Sequence, residues 1–419
     1  MSDHVRFVHA ADLHLDAPFQ GITATDPRIG AELADATYAA FKRVVETCLT
    51  RDVAFLVIAG DAYNSADKSL RAQLRFRTEM ERLAEAGIEV FIVNGNHDPQ
   101  SGWSAGLSLP ETVHVFPTDR VERIEVVRNG EVIAAVYGRS FARAAEVTNL
   151  ALGYHRDASD PVAIGVLHAN VGGNGDYEPY AAATLDDLRS ARMDYWALGH
   201  IHKQEVLAEH PWIVYAGSPQ GLNPKETGPH GCLVVEISRG GATTLEHVET
   251  APIAWAQTQL DASEATDLED IRALLLRACE DIRTESGRHT VARIALVGRS
   301  AAHADLSRPG VAEQLFDDIR AEGAVDTPWV WIDRLVDRTS PLIDLDELRS
   351  GPDFAAELVR IADELAADPV ALDKTVDELA SPLATTLSGY CRQLAATEAL
   401  DRARDAALDL LLTRGDDRR

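Results

Sequence analysis

The apolar positions fall into short runs and helical stripes that alternate along the first half of the chain. Val5–Ala11 is rich in β-branched and aromatic residues and predicts a strand. Ala39–Leu49 reads as a helix, and Val53–Ala59 as a strand buried on both faces. Ser69–Ala86 carries Leu70, Leu74 and Leu83 at helical spacing among charges, and Glu89–Val93 is again a buried strand. This β-α-β-α-β alternation predicts an α/β domain whose sheet faces are covered. Further strands are predicted at Glu131–Tyr137, Ala163–Leu167, Tyr195–Leu198, Ile213–Tyr215 and Cys232–Ile237, separated by turn-rich segments such as Gly172-Gly173-Asn174-Gly175. A first domain is therefore expected over residues 1–250.

The pattern changes beyond that point. Leu268, Ile271, Leu275 and Ile282 lie near one helix face, Val291–Val297 alternates as a strand, Val311, Leu315 and Ile319 mark a helix, and Trp329–Val336 a further strand. That predicts a small α/β unit over residues 251–345. After Gly351-Pro352 everything reads as helix, so residues 350–419 form a helical segment. Phe354, Leu358, Ile361 and Leu365 make its first stripe, Asp368-Pro369 a capped helix start, Ser381-Pro382 an interruption, and a last helix runs to about Thr413.

Composition is globular, with 46% apolar and 26% charged residues in a chain of 419. The longest apolar stretch, Val53–Gly60, falls far short of the roughly 20 residues of a membrane-spanning helix, so no membrane association is expected. The start, Met-Ser-Asp-His, has no basic leader region. Cys48, Cys232, Cys279 and Cys391 stand far apart and form no Cys-x-x-Cys, which removes zinc ribbons and redox pairs and fits a reducing cytoplasm. Lys and Arg number 40 against 67 Asp and Glu, a net charge of −27. That argues against a sequence-reading DNA protein, though not against an enzyme whose bound cations supply positive charge.

Metal-type side chains concentrate in a few short blocks: Asp12-Leu13-His14, Gly60-Asp61, Gly95-Asn96-His97-Asp98, the single His168, and Gly199-His200-Ile201-His202. Each lies just past the carboxyl end of a predicted strand, the edge at which open α/β sheets bind ligands. An Asp-x-His arises about once by chance in such a chain, whereas Gly-Asn-His-Asp/Glu arises roughly 0.003 times and Gly-His-x-His roughly 0.03 times. Asp12 and His14, like His200 and His202, are two apart, so an extended chain would point each pair to one side. Asn96 and His97 are adjacent and must point differently. Mixed carboxylate and imidazole donors without thiolate suit manganese, iron or zinc.

Asp12, His14, Asp61, Asn96, His168, His200 and His202 exceed one tetrahedral site. A bridging Asp61 would let them serve two ions about 3.5–4 Å apart, holding a hydroxide that attacks phosphorus. His97 is then left to protonate the leaving oxygen or to stabilise the charged transition state, with Asp98 expected to orient it.

These blocks resemble the calcineurin-like metallophosphoesterase superfamily and, more narrowly, the SbcD-type DNA-repair exonucleases of the YhaO-type branch. The resemblance is carried by residues 9–19, Gly60-Asp61, Gly95-Asn96-His97-Asp98, His168-Ala169-Asn170, residues 195–202 and Ala216-Gly217-Ser218-Pro219-Gln220-Gly221. It implies a four-layer α/β/β/α sandwich with a small α/β cap domain and a helical C-terminal segment. It also implies two manganese ions, one on Asp12, His14, Asp61 and His202, the other on Asp61, Asn96, His168 and His200. DNA as substrate, a homodimer and a tail docking on an SMC-like, SbcC-type ATPase are further implications.

One position departs from the pattern: Asn64 stands where many SbcD-type nucleases carry a second catalytic histidine. The alternatives are a phosphatase or small-nucleotide phosphodiesterase of the same fold, and a non-catalytic subunit that clamps DNA. The protein-phosphatase pattern Gly-Asp-x-x-Asp-Arg-Gly is not matched by Gly60-Asp61-Ala62-Tyr63-Asn64-Ser65-Ala66.

The remaining candidates read as structural. His9 is a packed core histidine. His4, His114, His155, His210, His230, His247, His289 and His303 are surface or loop residues. Trp329 and Trp331 pack a core, and Arg288, Arg293 and Arg299 belong to a solvated face. The tail's stripe is equally an internal bundle or a docking face.

Overall fold

The computed structural model describes residues 4–17, 26–173, 175, 177–380 and 396–416. Pro18, Phe19, Asn174, Ser381, Pro382 and Cys391, all singled out above, lie outside the described residues.

The first unit comprises residues 1–256 and 286–291. Its strands are β1 (His4–Ala10), β2 (Phe55–Ala59), β3 (Glu89–Val93), β4 (Val113–Val115), β5 (Glu122–Arg128), β6 (Glu131–Gly138), β7 (Ala163–His168), β8 (Tyr195–Gly199), β9 (Glu205–Glu209), β10 (Trp212–Tyr215), β11 (Gly231–Ser238) and β12 (Thr243–Glu249). They form two six-stranded sheets, in the orders β12-β11-β1-β2-β3-β4 and β5-β6-β7-β8-β10-β9. Strands β1 to β4 run parallel, as do β6, β7, β8 and β10, while β11, β12, β5 and β9 pair antiparallel at the margins.

Strand alternation sorts the side chains into layers. Phe7, Phe55, Val57, Phe91, Ile164, Val166, Tyr195 and Val235 face inward and fill one core between the sheets. Val8, Ala10, Leu56, Ile58, Val90 and Ile92 face outward and are covered by α1 (Pro27–Thr50) and α2 (Leu70–Glu85) through Phe41, Val44, Phe76 and Met80. On the far side Leu167, Trp196, Leu198 and Ile213 pack under Leu188 of α3 (Leu185–Ser190) and under Leu150 and Ala151 of a 3₁₀ turn. The four layers are thus α/β/β/α, the last one thin.

Helix α1 begins well before the predicted Ala39. Asp26 caps it by accepting Arg28 and Ile29 N–H, Pro27 takes the first helical position, and Ile29, Leu33, Ala36 and Ala40 extend the buried face. The strands of these two sheets that periodicity missed, β4, β5, β9 and β12, are all marginal and partly solvated, so they lack a continuous apolar run. His9 shares the inward parity of Phe7. It is fully buried, its Nε2–H donates to the Leu198 carbonyl at 3.1 Å, and Nδ1 accepts from the Tyr195 hydroxyl at 3.0 Å.

The second unit comprises residues 257–285 and 292–419. Strands β13 (Ile253–Asp261), β14 (His289–Ser300) and β15 (Val330–Pro341) form one sheet in that order, with α4 (Leu268–Ser286), α5 (His303–Leu306) and α6 (Val311–Gly323) between them in the chain. Trp329 and Trp331 are buried, as a core requires. Arg288, Arg293 and Arg299 are paired with Glu249, Asp333 and Asp405 at 2.6–2.7 Å.

The helical segment holds α7 (Leu345–Arg349), α8 (Phe354–Ala367), α9 (Pro369–Ala380) and α10 (Ala396–Asp416). Here the sequence stripe is only partly right, for Leu358 packs against the buried cluster. The buried face of α8 is Ala355, Val359 and Ala362, one position on from the bulky stripe, and Ala355 and Val359 cluster with Leu408 of α10. Phe354 and Ile361 are exposed. Among the described residues, no helix is long and apolar enough to cross a membrane.

Phe7 stacks on Phe55 at 4.9 Å between ring centroids and meets Tyr195 edge-on at 5.4 Å, joining the two sheets. Phe7→Ala should lower unfolding free energy by about 3–5 kcal/mol in denaturant titrations. A loss below about 1 kcal/mol would mean that this core does not hold the sheets together.

Candidate metal centre

Because β1, β2 and β3 of one sheet and β7 and β8 of the other are parallel strands, their carboxyl ends deliver the chemical blocks to one place. The loop after β1 is laced to the loop after β2 by hydrogen bonds from Asp12 N to Gly60 O, His14 N to Asp61 O and Leu15 N to Ala62 O, at 3.0–3.1 Å. Asp12 and His14 share a side, though not through the extended backbone expected. Both are left-handed, with φ of 52° and 43°, and so are Asp61 at 50° and His200 at 103°. Such conformations are strained for non-glycine residues and cluster at functional sites. The motif glycines make room: a Cβ on Gly60 would lie 2.2 Å from His168 Nδ1, and one on Gly95 would lie 2.3 Å from Asp61 Oδ1.

All seven expected ligands converge. Donor atoms of Asp12, His14 and His202 lie within 4.8 Å of one another, as do those of Asp12, Asp61 and His168, and those of His14, Asp61 and His97. Asn96 Oδ1 is 3.0 Å from His168 Nε2 and 3.2 Å from His200 Nδ1. Asp61 Oδ2 stands 3.4 Å from His168 Nε2 and 3.8 Å from His14 Nε2, between the two groups.

The outer ring nitrogens fix the tautomers. His168 Nδ1–H donates to the Ala59 carbonyl at 2.9 Å, His200 Nε2–H to the Glu178 carbonyl at 2.8 Å, and His202 Nδ1–H to the Glu226 carboxylate at 2.8 Å. In the neutral rings the inner nitrogens therefore carry the lone pairs, and they face the other donor atoms: His168 faces Asn96 and Asp61, His200 faces Asn96, and His202 faces His14 Nε2 at 3.1 Å. His14 Nδ1 is buried without a hydrogen-bond partner. Converging lone pairs in a buried volume repel unless a cation or proton lies among them, so this donor set fits divalent metal.

Electrostatics reflect the same crowding. Burial and the neighbouring His202 hold His14 well below its ordinary range, and burial with His168 lowers His200 to about 4. Burial opposes the charge on His168, but the Asp61 carboxylate overrides it and raises that imidazole to about 9. Burial also pushes Asp12 up to about 6.

His97 makes different contacts from Asn96, as adjacency requires: one of its ring nitrogens lies within 4.8 Å of donor atoms of His14 and Asp61. It is exposed, its ring meets His14 edge-on at 4.7 Å, and its Nδ1–H donates to the Asn64 carbonyl at 3.0 Å. The expected role of Asp98 in orienting His97 is not what the structure contains. Asp98 is buried, and its oxygens accept backbone N–H from Gly95 at 2.8 Å and from Ala62 at 2.9 Å, bracing one loop against another. His230 is likewise no surface residue: it is buried, its Nε2–H donates to the Glu226 carbonyl at 3.1 Å, and its Nδ1 accepts from the Ser218 hydroxyl at 3.0 Å. Glu226 was missed altogether, because no motif or spacing links position 226 to His202. Tyr177 and Tyr180 flank the centre, with rings 5.8 and 5.9 Å from that of His200.

In the metal-free protein the raised His168 keeps a proton on the nitrogen that a metal would need. Metal uptake must displace it, so Mn²⁺ affinity should rise from pH 7 to pH 9, with proton release seen by calorimetry in buffers of differing ionisation enthalpy. Affinity independent of pH over that range would contradict the assignment of His168.

Comparison with known proteins agrees with this geometry. Residues 5–204 match the calcineurin-like phosphoesterase family, and residues 255–340 match the middle domain of the metallophosphoesterase YhaO. The chain is 34% identical to the uncharacterized metallophosphoesterase YhaO of Bacillus subtilis over 349 residues, covering 83% of this chain and 85% of that one. It is 25% identical to the DNA double-strand break repair protein Mre11 of Methanopyrus kandleri, over 60% of this chain and 58% of the relative. With the SbcD component of the SbcCD nuclease of Escherichia coli it shares 22% identity, over 64% of this chain and 74% of the relative. The chain belongs to the calcineurin-like metallophosphoesterases, with a YhaO-type middle domain and distant Mre11 and SbcD homologues.

Proposed function

We propose that this metallophosphoesterase is a phosphodiesterase acting on DNA, the nuclease subunit of a repair complex with an SMC-like, SbcC-type ATPase. The carrying observation is an exposed His97 at the rim of a buried cluster of seven metal-type donors. Two divalent ions, for which manganese is our choice, would be held on Asp12, His14, Asp61 and His202 and on Asp61, Asn96, His168 and His200, with Asp61 shared. When bound, such ions neutralise charge at phosphorus and activate water as the nucleophile.

The chain's own groups do the rest. The Asn64 carbonyl holds His97 through Nδ1–H and leaves Nε2 to deliver a proton to the leaving oxygen. Asp98 ties the His97 loop to the residues after Asp61 and holds that ring at the rim. A net charge of −27 leaves Lys and Arg little capacity to neutralise a phosphate backbone, so affinity for DNA depends on the ions and the partner. Exposed Phe354 and Ile361 offer an apolar edge of α8 for the ATPase, and we take the working form to be a cytoplasmic homodimer. The DNA-directed names of the Mre11 and SbcD relatives support this choice of substrate.

Asn64 keeps a second reading in view, a phosphatase or small-nucleotide phosphodiesterase of the same fold, or a subunit that only clamps DNA. Manganese-loaded protein should hydrolyse bis-p-nitrophenyl phosphate and linear DNA. His97→Ala should keep both ions and lose about 10²–10⁴-fold in rate. Loss of metal in that variant would make His97 a ligand. Hydrolysis of monoesters alone would favour the phosphatase, and no hydrolysis at all would favour the clamp.

A further inference from the structure

Three outer ring nitrogens at the centre donate to acceptors of two kinds. Those of His168 and His200 meet the neutral backbone carbonyls of Ala59 and Glu178, whereas that of His202 meets a carboxylate. The Glu226 side chain is 12% exposed and firmly held. Its Oε2 accepts Leu222 N–H at 2.6 Å, and its Oε1 accepts Asn223 Nδ2–H at 2.6 Å besides the imidazole. The loop that carries it is anchored next to His202: Ser218 N donates to the His202 carbonyl at 2.9 Å, His230 Nε2–H donates to the Glu226 carbonyl at 3.1 Å, and His230 Nδ1 accepts from the Ser218 hydroxyl at 3.0 Å. Glu226 sits behind the ring, on the opposite nitrogen from the one facing His14, and so is not a ligand itself.

We propose that Glu226 is a positioning residue that strengthens the ion site containing His202, making the two sites unequal in affinity. This rests on the two-ion reading above. A charge-assisted bond is shorter and about twice as strong as a neutral one, and a carboxylate behind an imidazole fixes ring orientation and raises the basicity of the inner nitrogen. Backbone carbonyls orient His168 and His200 without contributing full charge. The site on Asp12, His14, Asp61 and His202 therefore fills first.

The test is a Mn²⁺ titration of the full-length protein and of Glu226→Gln, followed by calorimetry and by the EPR signal of free manganese. The wild type should bind two ions with separable affinities. In Glu226→Gln, which preserves size and an acceptor oxygen, the tighter ion should weaken by about 10–100-fold while the weaker one and the melting temperature of the metal-free protein stay unchanged. Wild-type affinities in the variant, or equal weakening of both ions, would overturn the proposal. If Glu226→Gln does not fold, Asn223→Ala removes one anchor of the carboxylate and must show the same selective loss on a smaller scale; unchanged affinities there would also overturn it. A wild-type protein that takes up fewer than two ions would instead overturn the two-ion reading itself.

Discussion

Lone pairs from two different sheets point into one buried volume, and much of the local structure exists to sustain that arrangement. Buried acceptors at 3.0–3.4 Å from one another, such as His168 Nε2, Asn96 Oδ1 and Asp61 Oδ2, are tolerable only with positive charge among them. The surrounding chain prevents them from moving apart. Four of the converging residues sit in left-handed backbone, the inter-loop hydrogen bonds hold them there, and Gly60 and Gly95 leave the space into which His168 and Asp61 project. Asp98, buried and raised to about 6 by burial, belongs to this scaffold and not to the ring it adjoins in sequence.

Both sheets are needed because neither supplies a full donor set. β1, β2 and β3 end in Asp12, His14, Asp61 and Asn96, and β7 and β8 end in His168, His200 and His202. The inward aromatic core of Phe7, Phe55, Phe91 and Tyr195 sets how closely those edges approach. His9 ties them near the site by reaching the Leu198 carbonyl from the opposite sheet. The family's chemistry therefore depends on a packing interface that contains no catalytic residue.

Much of this was legible in the chain. The buried parallel strands are continuous apolar runs, and the blocks at their ends are together too improbable to arise by chance, so the central layers and the seven donors could be read together. What escaped has a physical reason. Marginal strands such as β5 and β12 are partly solvated, and their charges, Glu122, Arg123, Glu125 and Arg128 in one and Glu246 and Glu249 in the other, fall out of step with a two-residue alternation. The bulky stripe of α8 is only partly the buried face: Leu358 packs against the Ala355, Val359 and Leu408 cluster, whereas Phe354 and Ile361 are exposed and the small residues Ala355, Ala356 and Ala362 are buried beside Val359. Glu226 reaches the His202 ring, and His230 the Glu226 carbonyl, through a loop whose path no periodicity encodes. Asp98 was misassigned because adjacency in sequence suggested a partnership with His97, whereas its oxygens are taken by backbone N–H groups.

The most direct test of the two-ion centre is the location of manganese by anomalous scattering in crystals of the Mn²⁺-loaded protein. Two peaks are expected, about 3.5–4 Å apart, one beside His14 and His202, the other beside His168 and His200, with Asp61 between them. A single peak, or two peaks that do not share Asp61, would contradict it.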